Sequence, residues 1–256
     1  MKTVKKALDI LDSFTREHPI QGITEIATKL GIHKSTAHSI LNTLKEDGFI
    51  IYETESRKYR LGFKIIELGG RISYKQDLRE LSIAFMQMLS KSCDEDIALN
   101  ILVEGRRICI CLVESRYFVR QFVPLGKALP AHCSAAGKAL LAFLPPAELD
   151  SIIDKYGLPP FTKNTITDRN TLTRELETIR SRGYGESWEE YGKDAAALAF
   201  PILNGQNKAV AALSIQSTIS RFKKADLNPL IKEGIQTAEK ISQALPGVFI
   251  SSEDRG

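Results

Sequence analysis

Apolar residues recur at helical spacing through the first fifty positions and divide them into three helices. The first helix runs from Val4 to Arg16. Thr24 is expected to cap the second, because its hydroxyl can accept from backbone amides that a helix start leaves unpaired. Gly31 ends that helix, since glycine adopts left-handed dihedrals without steric cost. The third helix runs from Lys34 to about Asp47.

The third helix has two chemically different faces. Its apolar face is formed by Ala37, Ile40, Leu41 and Leu44. The opposite face carries short donors and acceptors that suit a helix lying in a DNA major groove, namely Lys34, Ser35, Thr36, His38, Ser39 and Asn42. The pattern therefore predicts a helix-turn-helix with its second helix as the reading element.

Two short strand patterns, 49–53 and 58–62, follow around a polar turn and predict a β-hairpin, or wing. Arg57 and Lys58 lie at its tip, where their charges are expected to contact phosphates. A small helical subdomain with solvated polar faces is the alternative interpretation. The added wing favours DNA binding.

The rest of the chain divides into a linker and a larger second domain. We expect a winged helix-turn-helix over residues 1–62, a helical linker over 63–77 and a second domain over 78–256. The apolar face of the linker helix fits pairing with a second copy or packing on its own domain, and periodicity does not separate the two. The predicted fold class is α+β, with helices on the faces of an antiparallel sheet.

Strands and helices alternate in the second domain. Six strands are predicted at 96–104, 106–114, 118–126, 184–190, 195–203 and 208–217. Four helices are predicted at 135–144, 147–157, 168–182 and 225–245, and Asp168 is the expected cap of the third. The sequence Asn-Gly-Gln-Asn between the last two strands predicts a hairpin turn.

Charge and composition restrict the function only mildly. The 256 residues carry a net charge of +4, and residues 1–62 contain ten Lys and Arg against eight Asp and Glu. This basic bias permits nucleic-acid binding without establishing it. No apolar run reaches the roughly 20 residues of a membrane span, and Asp9 and Asp12 interrupt any signal-peptide core. We therefore expect a cytoplasmic protein with no membrane partner.

The four cysteines do not indicate a metal site. Cys93, Cys109, Cys111 and Cys133 form no C-x-x-C pair, so neither a zinc site nor any other cofactor is expected. His132 and Cys133 are adjacent and point opposite ways on an extended segment, which excludes them as a base and nucleophile pair. No other catalytic constellation is present, and we expect no enzyme activity.

Several motifs in the same order resemble the IclR-type (isocitrate lyase regulator) family of bacterial transcription regulators. In the first domain these are KALDIL, TEIATKLGIHKSTAHSILNTL and KYRLG, and in the second PAHCSAAGKALLAFL, IRSRGYGESWEE and VAALSIQ. The family signature falls on Gly183, Ser187, Glu190, Ala197, Leu198, Ala199, Ile202 and Asn204. Leu203 departs from it, since the family usually has an aromatic residue or His there.

The resemblance implies a GAF-like effector-binding domain, binding to operator DNA, and homodimers that often pair into tetramers. It places the effector pocket at Ala135, Ala136, Ser187, Ala197, Ser214 and Gln216. Three of these depart from relatives that bind small oxoacids, which often have Asp at 187, Cys or Ser at 197 and Ser at 216. We expect a small organic acid, a diacid or an aromatic acid among the candidates, with its carboxylate at the backbone amides of Ala135 and Ala136. Its second polar end is expected near Ser214 and Gln216.

Three functions remain open at this point. The first, which the motifs favour, is a ligand-responsive regulator that represses or activates a catabolic operon, with RNA polymerase as a further candidate partner. The second is a small-metabolite enzyme with an appended DNA-binding module, and the third is a ligand-free architectural DNA binder. The absence of a catalytic constellation argues against the second, and the small residues of the expected pocket argue against the third.

Overall fold

The computed structural model describes residues 2–15, 17–71, 73–117 and 124–245. The helices are α1 Lys2–Ser13, α2 Ile23–Leu30, α3 Lys34–Glu46, α4 Lys64–Gly70, α5 Ser73–Cys93, α6 Ala135–Leu141, α7 Pro146–Tyr156, α8 Arg169–Arg182, α9 Ile219–Phe222 and α10 Leu227–Ala244. The strands are β1 Ile20–Gln21, β2 Ile50–Glu53, β3 Lys58–Leu61, β4 Asp96–Val103, β5 Arg106–Val113, β6 Ala128–Pro130, β7 Gly185–Trp188, β8 Ala195–Leu203 and β9 Ala209–Thr218.

The chain forms two compact units, one up to Gln76 and the other from Asp77. In the first unit, α1, α2, α3 and the wing strands β2 and β3 surround one apolar core. Ile10, Ile26, Leu41 and Ile50 are almost fully buried in it. Ile26 and Leu41 lie on the apolar faces that the periodicity predicts for α2 and α3, because each helix must bury one stripe against its neighbours. In α1 the helical spacing of Val4, Leu8 and Leu11 predicts the buried face, but Val4 and Leu8 are 66% and 52% exposed and Ile10 is buried instead.

Two local features of the first unit differ from the sequence predictions. The cap of α2 is Gly22 and not Thr24, and the Glu25 carboxylate accepts from the Gly22 N–H at 2.6 Å. The helix therefore begins one residue before Thr24. The wing also has a third strand, because β1 pairs antiparallel with β3. Gly31 ends α2 in the left-handed conformation, as predicted.

The second unit is built on a six-stranded antiparallel sheet with the order β6-β5-β4-β9-β8-β7. One face packs against α5 and α10, with Met86, Phe200 and Ile241 in the core. The other face packs against α6, α7 and α8, with Leu140, Leu176 and Ala212 in the core. This is the predicted α+β architecture.

The remaining predictions for the second unit hold in part. Asp168 caps α8, and Gly183 ends it at a φ of 80°. In the 203–209 turn the positive φ falls on Asn207 rather than on the Asn-Gly pair. The predicted strand 118–126 lies mostly outside the described residues. Helical spacing predicts Met88 on the same side of its helix as Leu78 and Leu89, but Met88 is 67% exposed whereas those two residues are buried.

Candidate DNA-binding and effector sites

The polar face of α3 is open to solvent. Lys34, Ser35, His38 and Ser39 are exposed, and Thr36 and Asn42 are half-buried. Asn42 Nδ2 lies 3.3 Å from His38 Nδ1 one helical turn away, so these two side chains form one polar unit. The Asn42 oxygen keeps its capacity to accept from a base edge.

The two basic residues of the wing have different surroundings. Arg57 is exposed at the turn with a φ of 54°, and it has no ion-pair partner among the residues described. Lys58 Nζ lies 3.4 Å from Glu25 Oε1, which links the wing to the first turn of α2. Hydrogen bonds from the Gly22 N–H and from Lys58 hold the pKa of Glu25 below its usual range. Of the two side chains, Arg57 is thus the more available to bind a phosphate.

A cavity of about 280 Å³ lies in the second unit between the sheet and the start of α6. Five of the six predicted effector residues line it: Ala135, Ala136, Ser187, Ala197 and Gln216. Residues that the sequence did not single out complete the wall, namely Arg107, Pro124, Leu129, Pro130, Cys133, Ser134, Tyr191, Gly192, Ala195 and Ala196. The volume is near the lower end for ligand sites, which suits a compact metabolite.

The sheet register explains why three distant residues meet in this wall. Ser187 pairs with Ala197 between β7 and β8, and Ala197 pairs with Gln216 between β8 and β9. The three side chains form one row across adjacent strands, because paired residues project to the same face. Ala197 leaves space in the middle of the row, and Ser187 and Gln216 supply polar groups on either side.

Ser214 does not line the cavity, contrary to the sequence prediction. It is fully buried behind Gln216, and its hydroxyl accepts from Gln216 Nε2 at 3.0 Å and from Asn100 Nδ2 at 3.0 Å. The same hydroxyl donates to the Ala98 carbonyl at 3.3 Å. Ser214 and Gln216 share one face of β9, as their i and i+2 spacing predicts, but only Gln216 of the two lines the cavity. Ser214 is thus hydrogen-bonded to a residue of the cavity wall without lining the cavity itself.

Among the described residues that line the cavity, Arg107 is the one with a charged side chain. It is 6% exposed, and its Nη1 donates to Asn100 Oδ1 at 2.7 Å. Its Nε is buried without a hydrogen-bond partner, and no described carboxylate pairs with the guanidinium. Burial lowers the pKa of Arg107, since a low-dielectric surrounding disfavours the charged form. Periodicity placed this residue on a strand but carried no signal that its charge is buried.

The backbone groups at the start of α6 form more hydrogen bonds within the protein than the sequence suggested. The Ser134 hydroxyl accepts from the Gly137 N–H at 3.2 Å, and the Ser134 carbonyl accepts from the Lys138 N–H at 2.9 Å. Ala135 and Ala136 are almost fully buried. These residues shape the cavity with small side chains, and part of the helix start is already capped by its own chain.

A buried ion pair stands behind the cavity wall. Lys138 is 2% exposed, and its Nζ lies 2.6 Å from Glu190 Oε1 and 3.4 Å from Glu175 Oε1. Burial raises the pKa of Glu190, and the Lys138 ammonium opposes that rise. The pair joins α6 to the segment after β7, and both elements contribute residues to the cavity.

His132 and Cys133 form no catalytic pair. His132 Nε2 bonds the Pro159 carbonyl oxygen at 3.1 Å, and burial raises the pKa of the Cys133 thiol to about 12. A thiol with such a pKa remains protonated and unreactive near neutrality. Among the residues that the structure describes, no three His, Cys, Asp or Glu side chains form a group that could hold a metal ion.

Comparison with known families identifies the two units. The model of the IclR helix-turn-helix domain matches residues 3–53, and that of the bacterial transcriptional regulator IclR C-terminal domain matches residues 71–243. The chain belongs to the IclR family. It is a ligand-responsive transcription regulator of that family and not an enzyme, as the sequence motifs predicted.

Individual relatives extend over nearly the whole chain. The HTH-type transcriptional regulator XynR of Escherichia coli is 32% identical over 245 residues, which cover 96% of this chain and 97% of XynR. The crystal structure of the Thermotoga maritima IclR is 30% identical, with a TM-score of 0.78 and coverage of 95% and 98%. An IclR homologue from Microbacterium hydrocarbonoxydans, crystallised with 4-hydroxybenzoate, is 23% identical, with a TM-score of 0.82 and coverage of 94% and 98%.

Within the described parts of this IclR-family chain, none of the helices combines the length and the apolar character that a bilayer crossing requires.

Proposed function

We propose that this regulator binds operator DNA through α3 and the wing, and that a small organic acid in the 280 Å³ cavity changes the strength of that binding. The observation that carries the proposal is the row of Ser187, Ala197 and Gln216, which lines one cavity together with the start of α6. The 4-hydroxybenzoate complex of the Microbacterium homologue supplies a first acid to test.

Each part of the chain has its own role in this proposal. We propose that residues 1–62 bind DNA, that 63–77 form a helical linker and that 78–256 bind the effector and support assembly. A homodimer, with tetramers formed from dimers, would place two reading heads on a two-fold axis and match a palindromic operator. Phe63 and Ile66, at 71% and 70% exposure, supply apolar surface for a second copy. A catabolic operon is the proposed target, RNA polymerase a further partner, and the cytoplasm the site of action.

We propose a division of roles at the DNA surface. Ser35, Thr36, His38, Ser39 and Asn42 would face the major groove, while Lys34, Arg57 and Lys58 would contact phosphates. Four of these α3 side chains are exposed, and Arg57 has no ion-pair partner among the described residues, which supports this arrangement.

Two substitutions test the division of roles. Asn42→Ala is expected to weaken specific binding by about 1–3 kcal/mol and non-specific binding much less, because it removes a base contact. Arg57→Ala is expected to weaken both alike and to reduce the salt slope by about one unit, because it removes one phosphate contact. Fluorescence anisotropy with a selected operator and a scrambled duplex over a salt series measures both. Equal losses for both variants on both duplexes would contradict the assignment.

A cavity-filling substitution tests the effector site. Ala197→Leu is expected to fill the middle of the row and abolish the change in operator affinity that an acid effector causes, while ligand-free DNA binding stays as in wild type. Ala197 is a better position than the fully buried Ala135, where a larger side chain would overpack the core. Ala147→Leu, on the exposed surface of α7, is the matched control. Retention of a full effector response in Ala197→Leu would place the site elsewhere.

A further inference from the structure

We propose that Arg107 binds the carboxylate of the effector and restricts the ligands of this cavity to compact monoanions. This inference rests on the proposed function of the cavity and names the chemistry of its ligand. It also places the carboxylate at a side chain rather than at the start of α6.

The guanidinium of Arg107 is incompletely hydrogen-bonded within the protein. A guanidinium offers five N–H donors. Arg107 Nη1 donates to Asn100 Oδ1 at 2.7 Å, and no other hydrogen bond of this side chain is present among the described residues. Its Nε is buried and unpaired while the residue is only 6% exposed. A buried charge left in this state is costly, and a carboxylate is the partner that matches its planar donors.

The charge of the cavity wall favours a ligand with one negative charge. Among the lining residues that the structure describes, Arg107 is the one permanent charge, because the others are apolar, hydroxyl, amide or thiol side chains. The Cys133 thiol is protonated, with a pKa raised by burial to about 12. Lys138, behind the wall, is balanced by Glu190 at 2.6 Å. One negative charge on the ligand neutralises Arg107, and a second carboxylate would find no cationic partner among the described residues of this wall.

A chain of hydrogen bonds fixes Arg107 relative to Gln216. Asn100 accepts from Arg107 and donates to Ser214 at 3.0 Å, and Ser214 accepts from Gln216 Nε2 at 3.0 Å. Asn100 and Ser214 are fully buried, so the chain is shielded from water. It holds a cation and an amide at two points of one cavity.

The same chain of hydrogen bonds determines which polar group the second end of the ligand should carry. With Nε2 donating to Ser214, the Gln216 oxygen has no hydrogen bond among the described residues. It is an acceptor, so it suits a hydroxyl or N–H on the ligand. The alanines that line the same cavity accommodate an apolar body. The expected ligand is a monocarboxylic acid with a donor group, aliphatic or aromatic.

Matched acid and amide probes test this assignment. Formate, acetate, benzoate and 4-hydroxybenzoate are compared with their amides by thermal shift at constant ionic strength, followed by calorimetric titration of those that respond. In wild type the acids should raise the melting temperature and the amides should not. Arg107→Met should abolish this preference and weaken binding of the responding acid about 10- to 100-fold, the range of a hydrogen bond to a charged group. Arg107→Lys should retain part of the affinity, because it keeps the charge but loses the planar fork.

Arg106→Met is the control, since Arg106 lies on the same strand but does not line this cavity. It should leave the acid preference intact. The inference is overturned if wild type shows no acid-specific rise with any of the four pairs, or if Arg107→Met keeps the preference. A neutral compound that changes operator affinity in wild type but not in Ala197→Leu would overturn the role of Arg107 alone. A full effector response in Ala197→Leu would instead overturn the proposed site.

Discussion

Lys138→Met is expected to destabilise the effector unit by about 3–5 kcal/mol at neutral pH, because it leaves the Glu190 carboxylate buried without its cation. Lys138 is 2% exposed, and it is the only ion-pair partner of Glu190 among the residues described. Glu190 Oε2 already lacks a hydrogen bond. Loss of the Lys138 ammonium therefore leaves the Glu190 carboxylate with an uncompensated charge in a site that is shielded from water.

The effect should depend on pH with a definite sign. Burial already raises the folded-state pKa of Glu190, so protonation favours the folded state, and stability is lost as the pH rises through that value. Without Lys138 the pKa rises further. The deficit of Lys138→Met should thus shrink as the pH falls below the raised pKa of Glu190 and grow as the pH rises toward neutrality. Urea unfolding at several pH values measures this dependence.

Two further variants separate charge from packing. Lys138→Met combined with Glu190→Gln should recover a large part of the lost stability at neutral pH, because the second change removes the stranded charge. Lys155→Met makes the same substitution at an exposed position of α7 and should change stability by no more than about 0.5 kcal/mol. A Lys138→Met protein as stable as wild type at neutral pH would show that the pair contributes nothing.

The elements that periodicity predicted are those that bury one continuous apolar stripe. The faces of α2 and α3, the strands β4, β5, β8 and β9, and the caps Asp168 and Gly183 all follow from local sequence. The cap of α2 was misplaced because both Gly22 and Thr24 are acceptable cap residues, and the Glu25 carboxylate selects Gly22 through a contact outside the helical pattern.

The cavity was predictable only where local pattern and family motif coincide. Ser187, Ala197 and Gln216 lie in strands with a clear alternation, so their common face could be inferred. The roles of Arg107 and Ser214 depend on Asn100, which contacts both from a neighbouring strand. No one-dimensional pattern records that contact. The buried Lys138 is hidden for the same reason, because its partner Glu190 lies 52 positions away.

Gly137→Ala is expected to be the most damaging single-methyl change in the effector unit. A Cβ at this position would lie 2.0 Å from the Ala131 carbonyl oxygen and 2.6 Å from the Ala131 Cα, both backbone atoms. Backbone cannot rotate aside as a side chain does, so α6 must move away from the 131–134 segment.

We expect a loss of about 3 kcal/mol or more, the upper end of the overpacking range, although alanine is the better helix former. The displaced segments also line the cavity, so any variant protein that folds should bind an acid effector more weakly than wild type. Gly205→Ala is the matched control, because a Cβ there meets nothing within 4 Å and the φ is not positive. It should leave stability unchanged or slightly higher. Denaturant unfolding that gives Gly137→Ala the same midpoint as Gly205→Ala would contradict the close packing of α6 on residue 131.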